Sequence, residues 1–305
     1  MRLGVSVRSA YAVDDPRVGA QWMIERAQAA RDAGLDSLFV GDHHATAPAA
    51  YYQNVPIIAR ILADWGEEVS GALWLLPLWH PVIVAEQIGT LASLARGRFV
   101  MQTALGSGRA QFAAMGVDIR RRAADFELGL DVVRRLLAGE VVSTGADAQW
   151  QISDAQIAPR PPEPVEVWIG GTAPPAIDRA ARLGDGFLAA PELVPSEAGE
   201  TCRAYLDRCR VHGRTPSVVA IRRDIHVGAD DADAARVAEP VVAEGYRGFR
   251  PDACTYGGVE RVAEQLRRYG DMGYTDVIVR MLAPEQPDAV ASLERLGAVR
   301  DLLRT

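Results

Sequence analysis

Strand-like and helix-like runs alternate along the whole chain, and no other feature limits the fold as strongly. Apolar runs with strand character occupy residues 3–7, 37–40, 68–75, 98–104, 165–169, 186–189, 218–227 and 276–281. Between and after them, apolar residues recur at helical spacing over 22–33, 55–63, 82–94, 122–137, 176–183, 197–211, 259–272 and 288–303. A strand followed by a helix, repeated eight times, predicts a parallel sheet covered by helices. Eight such units with no compositional break predict a single (β/α)8 TIM barrel, read as one domain over residues 1–305. Two segments interrupt the rhythm and are expected to be insertions after strands 4 and 7. The first, 140–164, carries a Gly145-Ala146-Asp147 turn signal and a proline cluster and predicts a hairpin with a return connection. In the second, 228–258, Pro240 is expected to break a helix, leaving a segment suited to act as a lid.

The composition fits a folded enzyme-sized chain: 49% of the 305 residues are hydrophobic and 24% charged, which excludes disorder. The net charge of -7 provides no broad basic surface, which argues against nucleic-acid and membrane partners and leaves a small-molecule substrate, neutral or cationic, as the expectation. There is no lysine, so all 33 basic residues are arginine, and Schiff-base chemistry and a P-loop are excluded. Cys202, Cys209 and Cys254 are odd in number and lack CxxC spacing, which supports neither a disulfide framework nor a structural zinc and fits a reducing cytoplasm. Cys202 and Cys209, seven apart on one helix face, are expected to be packing residues. The longest apolar stretch, about 72–79, is broken by Pro77 and too short to span a bilayer; no targeting segment is expected.

Active sites of such barrels form at the carboxyl ends of the strands. After the second strand come Gly41-Asp42-His43-His44, where adjacent histidines point different ways and Asp42 can fix the tautomer of one. The third strand ends in an apolar and aromatic run from Ala72, Leu73 and Trp74 to Trp79, suited either to core packing or to paving a flat ring-binding slot; His80 before Pro81 reads as a strand end. After the fourth strand, Leu105-Gly106-Ser107-Gly108-Arg109 permits close backbone approach to a ligand and offers a guanidinium to an anion. After the fifth, Gly170-Gly171-Thr172-Ala173 leads into a helix, and free N–H groups there suit a phosphate. Gly184-Asp185-Gly186 reads as a tight turn.

The spacing of these pieces resembles the bacterial luciferase-like superfamily of flavin- or deazaflavin-dependent oxidoreductases. Its markers here are the run from Ala30 to His44, then Leu76-Pro77-Leu78-Trp79-His80-Pro81, Gly97-Arg98-Phe99, Ile169-Gly170-Gly171-Thr172 and Gly184-Asp185-Gly186-Phe187. The resemblance implies a flavin-like ring at the barrel mouth, FMN or the deazaflavin coenzyme F-420, and a homodimer. It implies that His43 donates a proton or steadies an intermediate, and that Asp42 contacts the cofactor. It places a non-proline cis peptide somewhere in Ala72, Leu73 and Trp74, cofactor-tail contacts at Leu105 and Gly106, and a phosphate loop at Gly171, Thr172 and Ala173. With FMN the chain would act as a monooxygenase fed by a flavin reductase or a nicotinamide; with the deazaflavin it would transfer hydride. Some deazaflavin-dependent members carry a catalytic glutamate where Ser107 stands, and the sugar-phosphate dehydrogenases among them use a lysine this chain lacks, which argues against a sugar phosphate. Two other readings stay open: a metal-dependent hydrolase built on Asp42-His43-His44, and a flavin-binding protein without turnover.

Overall fold

The computed structural model describes residues 1–304. Eleven strands and ten α-helices follow in chain order among the described residues: β1 (Arg2–Val7), β2 (Ala10–Tyr11), α1 (Pro16–Asp32), β3 (Ser37–Val40), β4 (Ala50–Tyr51), α2 (Asn54–Leu62), β5 (Val69–Trp74), α3 (Pro81–Leu94), β6 (Phe99–Thr103), α4 (Arg109–Ala114), α5 (Arg122–Leu137), β7 (Glu166–Gly170), α6 (Pro174–Leu183), β8 (Gly186–Ala189), α7 (Pro195–Val211), β9 (Val218–Val227), α8 (Asp231–Ala243), β10 (Cys254–Gly257), α9 (Val259–Asp271), β11 (Asp276–Met281) and α10 (Gln286–Arg304). The hydrogen-bonded strand order is β10-β9-β11-β1-β3-β5-β6-β7-β8, with β8 also paired to β9. Eight of these strands coincide with the eight expected from the sequence, and the fold is a (β/α)8 barrel. The ten-residue β9 serves two neighbours along one edge: its first four residues pair with β8 and its last four with β10, while Ala220 to Ile225 pair with β11.

Contacts divide the chain into two compact units. The first comprises Met1–Arg8, Arg17–Phe39 and the chain from Trp168 onward. Within it β1 and β11 run parallel with Arg2 opposite Asp276, and the Arg2 guanidinium holds that carboxylate with bonds of 2.8 and 2.9 Å. Leu3, Leu38, Phe39, Ile221 and Ile278 form part of its core. Val262, Ala263, Leu266 and Tyr269, spaced three or four apart on α9, bury one helix stripe. Val262 and Leu266 each contribute about 1.5–3 kcal/mol by full burial. Cys202 and Cys209 lie buried on α7, and burial pushes the Cys202 thiol up to about 11, so both are packing residues.

The second unit comprises Ser9–Pro16 and Val40–Val167. Its strands β5 and β6 are parallel, with Ala72 opposite Met101 and Trp74 opposite Thr103. Helices α3 and α5 pack together, and each buries an apolar stripe, with Ile88 and Leu91 on one and Phe126, Leu130 and Val133 on the other. A small antiparallel pair, β2 with β4, sets Tyr11 opposite Ala50.

Two sequence expectations need correction. Segment 140–164 does not form a hairpin of strands: one isolated antiparallel bridge joins Val142 to Ala155, and Thr144 N–H donates to the Ile152 carbonyl at 2.9 Å. The prolines, Pro159, Pro161, Pro162 and Pro164, all lie beyond this bridge, in the return connection. Pro240 does not break a helix either. It lies inside α8, whose end is still closed by the Glu244 N–H donating to the Pro240 carbonyl at 3.0 Å. So near the helix end the ring costs one bond to the preceding turn and clashes with little beyond it.

Candidate active site

The chain leaves β3 at Val40 and turns through Gly41 to His44, and these residues do not share one environment. The Asp42 side chain is wholly buried. Its Oδ2 accepts the Leu75 N–H and the Trp79 indole Nε1–H, each at 2.8 Å, and its Oδ1 lies 3.2 Å from Nε2 of His44. The His44 ring is buried and meets Trp79 edge to face, centroids 5.1 Å apart. One carboxylate therefore pins the 3₁₀ turn Leu76–Leu78 that follows β5. The resemblance assigns Asp42 to a cofactor contact; its Oδ2 is taken up by two protein donors, while the buried Oδ1 beside His44 has no hydrogen-bond partner among the described residues. Asp42→Ala would orphan two buried donors at about 1–3 kcal/mol each and is expected to lower stability by about 2–4 kcal/mol in urea unfolding. Asp42→Asn, whose amide oxygen can still accept both donors, should cost less than half as much.

His43 is the outward member of the pair. Its Nδ1 lies 3.3 Å from Oε1 of Gln111 on α4, and the same oxygen accepts the His44 main-chain N–H at 2.7 Å. The His43 carbonyl accepts from Gln53 Nε2 at 3.0 Å, and the ring stands edge-on to Tyr51, centroids 5.3 Å apart at 88°. Three side chains from two separate stretches, Tyr51 with Gln53 and Gln111, thus fix the backbone and ring of an exposed imidazole.

On β5, Ala72 and Trp74 are buried, and Trp74 packs on Phe99 with its indole Nε1–H reaching Gln87 of α3 at 3.3 Å, so these two side chains face the helical layer. Leu73, on the opposite face by strand alternation, is only partly buried and joins a cluster with Leu75, Leu78 and Phe112. Of the three, Leu73 is the side chain turned toward the cluster, and its carbonyl accepts Asn54 Nδ2 at 2.6 Å. The expected non-proline cis peptide is not present: the cis bonds among the described residues are Ala47-Pro48 and Ala158-Pro159. Residues 72–74 instead continue the regular ladder with β6. Leu105 and Gly106 are partly exposed after β6, and Gly106 adopts φ 73°, where a Cβ would also stand 3.2 Å from the Phe112 ring. Glycine is what this turn admits.

The loop Gly171, Thr172 and Ala173 belongs to the first unit. A Cβ on Gly171 would stand 2.6 Å from that of Ala176. Ala173 caps α6, but Pro174 and Pro175 supply no N–H, and the Ala176 N–H is already bonded to the Ala173 carbonyl at 2.8 Å. The expected row of free helix N–H groups is therefore reduced to the exposed loop itself, Thr172 and Ala173, with the Thr172 hydroxyl.

A charged cluster in the first unit escaped the sequence reading. Arg223 turns toward the helices: it donates to the Leu193 carbonyl at 2.6 Å and to that of Ala253, and lies 5.0 Å over the Tyr269 ring. Its neighbours Arg222 and Asp224 consequently point to the other face of β9. There the buried Asp224 carboxylate meets Arg222 Nε at 3.1 Å, the Tyr246 hydroxyl at 2.8 Å and Arg247 at 3.2 Å, with Arg280 opposite it in register. Burial pushes the Asp224 pKa up, but the charges of Arg222, Arg280 and Arg247 outweigh it and hold the group below its ordinary range. Burial brings Arg222 down to about 10. The legible signal was five charges in the strand runs 218–227 and 276–281, namely Arg222, Arg223, Asp224, Asp276 and Arg280, which apolar periodicity passes over.

Among the described residues no group of three or more His, Cys, Asp or Glu is placed to hold a metal ion, so the hydrolase reading finds no ligand set. No helix is long and apolar enough to cross a membrane. The profile of the luciferase-like monooxygenase family matches residues 1–301. An F420-dependent glucose-6-phosphate dehydrogenase of Nakamurella multipartita is 24% identical over 97% of this chain and 88% of its own. One of Beutenbergia cavernae is 33% identical over 52% of this chain and 49% of its own. Among solved structures, an F420-dependent secondary alcohol dehydrogenase in complex with an F420-acetone adduct superposes with a TM-score of 0.81 at 18% identity, covering 100% of this chain and 99% of that one. The oxygenating constituent of 3,6-diketocamphane monooxygenase from Pseudomonas putida, in complex with FMN, gives 0.80 at 15% identity, covering 97% and 96%.

Proposed function

Since this chain belongs to the luciferase-like monooxygenase family, we propose that it is an oxidoreductase acting on a small organic substrate with a bound deazaflavin, coenzyme F420, and with His43 as its proton-transfer residue. The observation that carries this reading is the contrast at the end of β3: His43 is exposed and held by Gln111 and Gln53, while His44 is buried against Asp42 and Trp79. The deazaflavin is favoured because relatives matched over most or half of the chain are named for F420. FMN is the second reading, favoured by the structural neighbour that carries it.

The residues fit such a group. Gly106, at φ 73° and partly exposed, brings main chain to the surface where a larger residue would be strained, and Leu73 and Leu105 give apolar flanks. Thr172 and Ala173 offer an anion main-chain N–H groups and a hydroxyl, a donor set that suits a phosphate, with Gly171 keeping the loop close to α6. When bound, the cofactor supplies the two-electron chemistry; the chain supplies orientation, water exclusion and proton movement. His43 moves a proton at its ring, and Asp42 keeps the Leu76–Leu78 turn in place through its Oδ2. A single domain, a homodimer, a flavin reductase as partner of the FMN alternative and a cytoplasmic location belong to the same proposal.

Fluorescence titration of the purified protein with F420 and, separately, FMN tests the reading. Micromolar or tighter binding of F420 with FMN bound at least tenfold more weakly is expected. Preference for FMN with oxygen consumed after its reduction would replace hydride transfer by monooxygenation, and binding of neither would overturn the proposal.

A further inference from the structure

The main-chain N–H of His44 can only donate, and it lies 2.7 Å from the side-chain amide of Gln111. An NH2 group placed there would set donor against donor, so the atom must be the amide oxygen Oε1. That oxygen lies 3.3 Å from Nδ1 of His43. A carbonyl oxygen only accepts, so the Nδ1 it faces carries the hydrogen. A neutral imidazole has one N–H, and its other nitrogen, Nε2, then holds the lone pair. In water neutral imidazole side chains favour the opposite tautomer, so this one is selected by its surroundings. The selection is reinforced where the ring is anchored: Gln53 fixes the His43 carbonyl at 3.0 Å and Tyr51 stands edge-on to the ring. Asp42, the acidic neighbour in sequence, does not take this part, because its Oδ2 serves Leu75 and Trp79 and its Oδ1 lies beside His44 rather than His43.

From this chain of donors and acceptors we infer that Gln111 is a positioning residue that holds His43 in its Nδ1–H tautomer, making Nε2 a base that takes a proton from the substrate. The inference rests on the reading of His43 as the proton-transfer residue. It specifies that reading: the proton moves at Nε2, which takes it from a substrate hydroxyl when the substrate is oxidised and returns it in the reverse direction. Once protonated, the imidazolium keeps its bond to Gln111 and carries the new proton on Nε2.

The test uses the whole chain labelled with 15N-histidine, and His43→Gln identifies the His43 signals among those of five histidines. Above the His43 pKa, the long-range nitrogen–proton spectrum of the wild type is expected to show Nδ1 protonated and Nε2 bare. In Gln111→Leu the signals should move to the Nε2–H pattern, and kcat should fall on the order of tenfold or more. Gln111→Glu, which retains an acceptor oxygen, should keep the Nδ1–H pattern and raise the His43 pKa by about one unit or more through its charge. A wild-type His43 protonated at Nε2, or an unchanged tautomer in Gln111→Leu, overturns the inference; if the leucine variant fails to fold, the wild-type spectrum decides. The spectra need neither cofactor nor substrate. A correct tautomer with no binding of F420 or FMN would therefore sink the functional reading alone.

Discussion

Replacing Asp224 with alanine should lower the free energy of unfolding by about 3–5 kcal/mol, the usual result of removing one partner from a buried ion cluster. The carboxylate is fully buried and bonded to Arg222, Arg247 and Tyr246, with Arg280 opposite it on β11. Without it three guanidinium groups face one another across two strands and a loop. Asp224→Asn keeps a carbonyl for Tyr246 and Arg247 but not the charge, and should fall between wild type and alanine. The acid limb separates charge from shape. In the unfolded chain this carboxyl has its ordinary pKa of 3.8, and in the folded protein it is held lower. Its stabilisation is therefore complete above that ordinary value and is lost as pH falls through the folded pKa. Urea unfolding at pH 7 and pH 3 should show the asparagine variant losing less stability on acidification than the wild type. An alanine variant within 1 kcal/mol of wild type at pH 7 would mean that the cluster contributes little.

Replacing His43 with glutamine is expected to lower kcat by about 10²- to 10⁴-fold, the range of a positioned acid–base group, or roughly 3–5 kcal/mol of barrier. Affinity for the cofactor should change by no more than about threefold, because the contacts proposed at Gly106 and in the 171–173 loop do not involve the His43 ring. His44→Gln provides the contrast. Its ring is buried between Asp42 and Trp79, so the loss should appear first as a lower unfolding midpoint. Equal loss of kcat in both variants without loss of stability would assign the chemistry to the wrong histidine.

Much of the fold was legible because each barrel strand and its helix carries its own apolar period, and these periods survive in single segments such as 259–272. What escaped depends on other parts of the chain. The four residues of β10 become a strand only because the far half of β9 leaves an edge for them, and α4 is six residues long, too short to announce itself by periodicity. Pro240 misled because a proline near a helix end costs far less than one in the middle. At the site, the position of His43 after a strand was readable. Its partner was not, since nothing in the sequence joins Gln111 to a histidine 68 residues earlier. The weakness of the α6 terminus as an anion trap was readable, for Pro174-Pro175 states in the sequence that two N–H groups are missing.

The pairing of β1 with β11 also sets a schedule for biosynthesis. Arg2 and Asp276 are 274 residues apart, and at roughly 5–20 residues per second a ribosome needs about 14–55 s to travel between them. One side of β1 can meet β3 within some forty residues, but the other has no partner until almost the whole chain has been made. For that interval Leu3, Val5 and Val7 belong to a strand with an open edge, the kind of surface that nascent-chain chaperones shield and that joins neighbouring copies when left bare.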